Sequence, residues 1–249
     1  IGVAMGITGT DVAKGASDMV LTDDNFSSIV KAVEEGRNIY KNIKKSIIFL
    51  LSCNLGEIIA LFFAIIAGWP TPLRSIHILW INLVTDTFPA LALGMDPEEP
   101  GVMKEKPRPK NEQLFHGMIP FLLLNGLLIG IATLVAFLIG LEGVTKNVSE
   151  EVLTHAQTMA FITLSFSQLV HSLNFRSMNQ SVFKAGLFKN KLLIYSILLG
   201  VVLQVLIVSI GPIADVFSVQ SLQLEDWLIV IGLSLLPLIV NEVVKIFRK

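Results

Sequence analysis

Six stretches of the chain are apolar over about the length that crosses a bilayer, at 46–67, 76–94, 118–140, 154–173, 192–210 and 227–246. About 20 residues of helix suffice for such a crossing, so the pattern predicts six transmembrane helices. The stretches are not equally apolar. The second and fourth carry Asn82, Thr85 and Asp86, and Ser165, Ser167, Gln168 and His171. That is more polar surface than lipid tolerates, which predicts interior helices. Residues 1–25 follow another rhythm: a strand-like run at 1–5, a Gly/Thr turn at 6–10, a short helical pattern at 11–17 and a second strand at 19–21. This is a scrap of α/β structure, too small to bury a core of its own. Asp23, Asp24 and Asn25 then offer N-cap chemistry to a helix bearing Ile29, Val30, Val33, Ile39 and Tyr40 at helical spacing. That helix is expected to run through Lys41, Lys44 and Lys45 into the first span.

Composition agrees with the pattern. Of 249 residues, 53% are hydrophobic and 16% charged, and the mean hydropathy is +0.69, which places the chain among all-α membrane proteins with the lipid bilayer as its first partner. A formal net charge of −1 leaves no global basic field, so nucleic acid is not an expected partner. The single cysteine, Cys53, sits in an apolar run and excludes a disulfide framework or cysteine metal cluster within the chain. The opening Ile1, Gly2, Val3 and Ala4 has neither an initiator Met nor a charged leader, and the expectation is a fragment. Basic residues segregate by loop. Lys104, Lys106, Arg108 and Lys110 follow the second span, and Arg176, Lys184, Lys189 and Lys191 follow the fourth. The loops after the first and third hold only Arg74 and only Lys146, and the loop after the fifth holds none. With Arg37, Lys41, Lys44 and Lys45 at one end and Lys245, Arg248 and Lys249 at the other, the distribution predicts cytoplasmic termini. The membrane itself would be the plasma membrane in a bacterium, or one of endoplasmic-reticulum or Golgi type in a eukaryote.

An ionised carboxylate in the hydrocarbon core is costly, so Glu57 and Asp86 each need a reason. Asn54 precedes Glu57 by three residues and shares nearly the same helix face; Asp86 lies beside Thr85 and four positions after Asn82. The tight loop at 69–74 joins the two spans and brings these five oxygen-bearing side chains to similar depth. Carboxylate, amide and hydroxyl oxygens suit a hard cation, and calcium tolerates a mixed cage better than magnesium does. Pro89 is expected to break the helix locally near Asp86 and free carbonyl groups, while Gly56 allows close helix approach. Asn, Thr and Gln also serve as interhelical glue, and buried acids often pair with bases. No Lys or Arg lies in the middle of any span, however. Ser165, Ser167 and His171 read as packing or hydrogen-bonding groups, and Cys53 as a small buried hydrophobe.

The stretch GTDVAKGASDMVLTDDNFSSIVKAVEEGRNIYKNIKKSIIFLLSCNLGE, followed by LWINLVTDTFPALALGMDP, resembles the C-terminal part of P2-type ATPases, and is most similar to sarcoplasmic-reticulum-type and bacterial calcium pumps. The resemblance implies a ten-helix pump of which these are the last six helices. Residues 1–25 would be the end of the phosphorylation domain, 26–45 a stalk helix and 46–249 the C-terminal transmembrane domain. It implies calcium as the transported ion, with Asn54 and Glu57 as ligands on one helix and Asn82, Thr85 and Asp86 on the next. An acid stands at the position of Asn82 in sodium/potassium pumps, so the amide favours calcium. Gln168 falls where the sarcoplasmic-reticulum type carries a glutamate, which makes it a weak ligand. Magnesium, ATP and the phosphorylated Asp would belong to the missing N-terminal portion of the same pump. The fragment by itself is therefore expected neither to hydrolyse ATP nor to form an acyl phosphate.

Three readings remain open on the residues alone. The first is an ATP-driven calcium translocase with proton countertransport, or a P2-type pump for another cation such as manganese or sodium and potassium. The second is a cation transporter or channel that uses the same acids without ATP. The third is an assembly module whose last four spans bind a small regulatory membrane protein.

Overall fold

The computed structural model describes residues 1–97, 101–107, 109, 115, 117–176 and 181–247. Arg108, Lys110, Arg248 and Lys249, used above for orientation, lie outside the described residues. The chain divides into two units: Ile1–Asn42 with Glu98–Asn111, and Ile43–Pro97 with Glu112–Lys249.

In the first unit, β1 (Val3–Met5) pairs in parallel with β2 (Met19–Leu21), Val3 opposite Met19. Parallel strands need a crossover, and α1 (Asp11–Ala16) supplies it, capped by the Thr10 hydroxyl accepting from Ala13 N at 3.2 Å. The three polar residues expected to cap the next helix divide their work. Asn25 Oδ1 accepts from Ser27 N at 3.0 Å, and Asp23 Oδ2 from the Ser28 hydroxyl at 2.6 Å. Asp24 does not cap. Its backbone is left-handed, with φ +50°, and its carboxylate turns back to close the Gly/Thr turn. There it accepts from Ile7 N and Thr8 N, each at 2.8 Å, and from the Thr8 hydroxyl at 2.7 Å. These donors, the Ile7 amide foremost, hold the Asp24 carboxyl below its ordinary value. Later in the same unit, Arg37 donates to the Val102 and Glu105 carbonyls at 3.0 and 2.9 Å, and Lys41 pairs with Glu105.

The expected long helix is present as α2 (Ser27–Ile66), 40 residues without interruption. In the second unit it is followed by α3 (Ser75–Trp80), a π-helical turn (Ile81–Thr85) and α4 (Thr87–Gly94). Next come α5 (Ile119–Gly140), α6 (Glu150–Ser172), the short α7 (Val182–Ala185), α8 (Lys191–Ser209), the short α9 (Gly211–Phe217), α10 (Leu224–Ser234) and α11 (Leu236–Phe247).

Five of the six predicted spans coincide with helices long and apolar enough to cross a membrane: Ser27–Ile66, Ser75–Gly94, Ile119–Gly140, Lys191–Ser209 and Leu224–Phe247. The fourth, α6, is a helix of 23 residues but too polar to join them, and Ala156 to Leu169 are buried without a break. It is the interior helix that its composition predicts, with the main core assembled around Met159, Phe161, Ile162 and Leu164. Among the described residues the second span is enclosed on one face: His77, Ile81, Thr85 and Asp86 are buried, while Leu79, Leu83, Phe88 and Leu91 are exposed.

Close approach of α2 and α5 rests on small residues. A Cβ on Gly56 would meet Ile129 Cγ2 at 2.7 Å, one on Gly126 would meet Leu55 Cγ at 2.7 Å, and one on Gly130 would meet Ile59 Cγ2 at 2.6 Å. Gly126 and Gly130 form a G-x-x-x-G seam that lets the two backbones touch, and it meets α2 beside Glu57.

Candidate functional site

The local backbone around Asp86 comes from two features acting together. Pro89 has no N–H and its ring crowds the Thr85 carbonyl, which disfavours regular α-helix through this turn. From the sequence a break is expected there. The helix instead widens one turn earlier: Asp86 N reaches back five residues to Ile81 O at 2.9 Å, and the Thr87 hydroxyl takes up Asn82 O at 3.0 Å. A π turn re-phases the side chains without ending the helix. As a result Thr85 and Asp86, adjacent in sequence, are both enclosed.

Glu57 on α2 is buried. Its Oε2 accepts from Asn82 Nδ2 at 3.1 Å and its Oε1 from Gln168 Nε2 at 3.2 Å. Three helices, α2, the α3–α4 segment and α6, thus meet at one carboxylate. Asp86 is fully buried beside the Cys53 thiol, a weak donor at best, and neither of its oxygens accepts a hydrogen bond from an N–H or O–H group of the described residues. The two acids are close enough to interact electrostatically. Neither forms an ion pair with a described residue. Buried polar groups are nearly always satisfied, so an orphaned carboxylate marks a position where something else completes the shell.

Other predicted residues fall around this pair. Asn54 is half-buried and donates from Nδ2 to Leu50 O at 2.9 Å; Asn82 donates in the same way to Ile78 O at 3.0 Å. The N–H side of each amide is thereby engaged with its own helix. The Thr85 hydroxyl donates to Ile81 O at 2.9 Å, which leaves its lone pairs uncommitted. Gln168 Oε1 is buried and without a hydrogen-bond partner among the described residues. Among the described residues no three His, Cys, Asp or Glu side chains gather into a metal-binding group. Any cation at this place must therefore draw on amide and hydroxyl oxygens as well as the two acids.

Residues read as packing groups behave variously. Cys53 is fully buried. Ser165 donates to Gln204 Oε1 at 3.3 Å, and His171 lies between Ser52 Oγ at 2.9 Å and Asn174 Nδ2 at 3.1 Å, with Phe49, Phe121 and Phe175 around its ring. Ser167 Oγ is buried with no partner. Sequence reasoning missed a second polar centre. Asp96, just past α4, takes Lys45 Nζ at 3.1 Å on Oδ2, and takes Arg176 Nη1 and, at 2.9 Å, Asn190 Nδ2 on Oδ1. In the sequence Lys45 is a basic residue of the helix that enters the first span and Arg176 a loop charge, and nothing in their spacing foretells that both are buried on one carboxylate.

A bundle of apolar helices around an interior helix, with two uncompensated acids among amide and hydroxyl oxygens, defines an integral membrane protein with a cation-suited polar centre. Residues 70–247 match the family described as Cation transporting ATPase, C-terminus. Over 259 aligned residues the chain is 62% identical to Calcium-transporting ATPase 1 of Bacillus cereus, covering 100% of this chain and 29% of that protein. It is 46% identical over 238 residues to the Calcium-transporting ATPase of Bacillus subtilis, covering 95% and 26%. With the endoplasmic reticulum-type Calcium-transporting ATPase 3 of Arabidopsis thaliana it shares 38% over 272 residues, covering 100% and 27%. The chain belongs to the cation-transporting ATPase C-terminal family, and it spans under a third of the length of these relatives.

Proposed function

We propose that this chain is the ion-carrying membrane part of an ATP-driven calcium pump whose remaining length holds the nucleotide and phosphorylation chemistry. The observation that carries the reading is Asp86, enclosed with neither oxygen accepting from an N–H or O–H group of the described residues, beside a Glu57 met only by amide N–H groups. Two buried carboxylates with no cation of their own are unfavourable while ionised, so each must be neutralised by a proton or by a visiting cation. The names of the relatives supply calcium, and the donor set is compatible with it.

In this reading Glu57 and Asp86 provide the charge. Asn54 and Asn82, whose N–H groups are held by backbone carbonyls, turn their oxygens to the ion, and Thr85 adds a hydroxyl. Gln168 contributes a weaker oxygen. When calcium leaves, protons entering in exchange neutralise the emptied acids, which gives countertransport. Residues 1–25 serve as the end of the phosphorylation domain, 26–45 as the stalk and 46–249 as the transmembrane domain, with α6 as the fourth of six crossings and both termini cytoplasmic. The bacterial relatives favour the plasma membrane. Magnesium and ATP act in the rest of the protein.

The test is uptake of radioactive calcium by sealed vesicles containing the full-length protein. ATP-dependent accumulation, released by a calcium ionophore, is expected. ATP hydrolysis stimulated by a different cation, with no calcium accumulation, would overturn the reading.

A further inference from the structure

Asp96, Lys45, Arg176 and Asn190 form a charged centre inside the second unit, each exposed by less than a tenth. Every member belongs to a different element. Lys45 lies on α2, the helix of Glu57; Asp96 follows α4, which begins just after Asp86; Arg176 ends the 3-10 turn Leu173–Arg176 that continues from α6, the helix of Gln168. Asn190 is the N-cap of α8, where its Oδ1 accepts from Leu193 N at 3.0 Å. Its Nδ2 reaches both Asp96 Oδ1 at 2.9 Å and Ala92 O at 2.8 Å, and Arg176 also donates to Gly186 O at 3.3 Å. The three helices that converge on Glu57 therefore converge a second time, on one carboxylate roughly two to three helical turns away.

Apolar side chains between helices can slide with small changes in contact energy, whereas a buried carboxylate with directional, charged donors on both oxygens has one good arrangement. We propose that Asp96 is a positioning residue for ion binding: by holding Lys45, Arg176 and Asn190 together it fixes the relative register of the helices that bear Glu57, Asp86 and Gln168. Asp96 touches no ion. It acts by keeping the three ligand-bearing helices at the separation the cage requires. This rests on the ion-site reading above.

The experiment uses the full-length pump, measuring ATP hydrolysis against free calcium together with thermal unfolding. Asp96→Asn keeps the shape but removes the charge, leaving Lys45 and Arg176 without their shared anion. Asn190→Ser keeps a capping oxygen for α8 but removes the amide donor, so it tests the same centre without stranding a charge. The expected result is a rise of at least fivefold in half-saturating calcium for Asp96→Asn and about twofold for Asn190→Ser, larger in each case than the change in maximal rate. Asp96→Glu should recover part of the affinity. If Asp96→Asn does not fold, Asn190→Ser carries the decision on the same criterion. Half-saturating calcium unchanged in the folded variants, or a fall in maximal rate and unfolding temperature with no shift in calcium dependence, would overturn the proposal and leave Asp96 a purely structural ion pair. Asp86→Asn is run in parallel. Loss of calcium activation there with unchanged Asp96 variants would refute only the positioning role, whereas calcium activation indifferent to Asp86→Asn would refute the ion site and this inference with it.

Discussion

Replacing Gly56 by alanine adds one methyl group where α2 and α5 touch, immediately before Glu57. The new Cβ would lie 2.7 Å from Ile129 Cγ2, 2.9 Å from Ile129 Cβ and 3.4 Å from Gly126 O. Carbon atoms rest about 3.5–4.0 Å apart, so the contact is short by roughly 1 Å. Ile129 is fully buried, and a β-branched residue in a helix has essentially one rotamer, so it cannot turn aside. Relief must come from the helices moving apart. Overpacking of this kind costs about 1–3 kcal/mol. Only the part of the strain that differs between the ion-bound and ion-free states lowers affinity. If all of it did, the loss would be about 5- to 150-fold, at about 1.4 kcal/mol per tenfold. The expected outcome for Gly56→Ala is a weaker calcium dependence, with that range as its upper limit, together with a lower unfolding temperature. Gly232→Ala on α10, where a Cβ meets nothing within 4 Å, is the control and should match the wild type. Calcium activation of ATP hydrolysis by the purified full-length pump, with differential scanning fluorimetry alongside, makes the measurement. A Gly56→Ala protein indistinguishable from Gly232→Ala in both would refute the close-packed seam as a determinant of the site.

Two further outcomes are expected. The Asp24 carboxyl is held below its ordinary value of about 3.9 by donors from Ile7 and Thr8, so what it contributes is fully present above that value and lost as pH falls through its lowered folded value. Hydrogen exchange at the Ile7 and Thr8 amides should therefore stay protected until pH is below the ordinary carboxylate range, and Asp24→Asn should lose protection near neutrality; equal protection in the two proteins would contradict this. Gln168→Glu adds a third acid to the two that this chain contributes and should raise the number of calcium ions bound per full-length pump or tighten a weak second one. Unchanged equilibrium binding would remove Gln168 from the ligand set.

Much of the fold was legible because lipid imposes simple rules. Five apolar stretches became five helices of spanning length, and the capped helix from Ser27 ran into the first of them. Hydropathy could not separate the roles of the two polar stretches. Among the described residues α6 is interior, whereas the helix carrying Asp86 is enclosed on one face, and that difference lies in packing rather than in composition. Pro89 signalled disturbed backbone near Asp86, but a π turn and a break leave the same mark in sequence. At the polar centre, the pairing of Gln168 with Glu57 joins residues far apart in the chain, and Asp96 gathers partners from three other elements. Such contacts carry no local periodicity. Charges near span ends read as loop or helix-end residues until the tertiary structure shows them buried, which is why the Asp96 centre was missed.

The account stands on Glu57 and Asp86 holding the transported ion. Its most direct test is equilibrium binding of radioactive calcium to the purified full-length pump near neutral pH, wild type against Asp86→Asn. The resemblance implies one more glutamate on a helix outside this chain; three carboxylates then leave one positive charge with two divalent ions, whereas with one ion they leave one negative charge that a proton on Glu57 cancels, and uncompensated charge inside the membrane is unfavourable. The prediction is one tightly bound calcium per wild-type molecule and none in a folded Asp86→Asn. Tight calcium binding that survives Asp86→Asn undiminished would contradict the central claim.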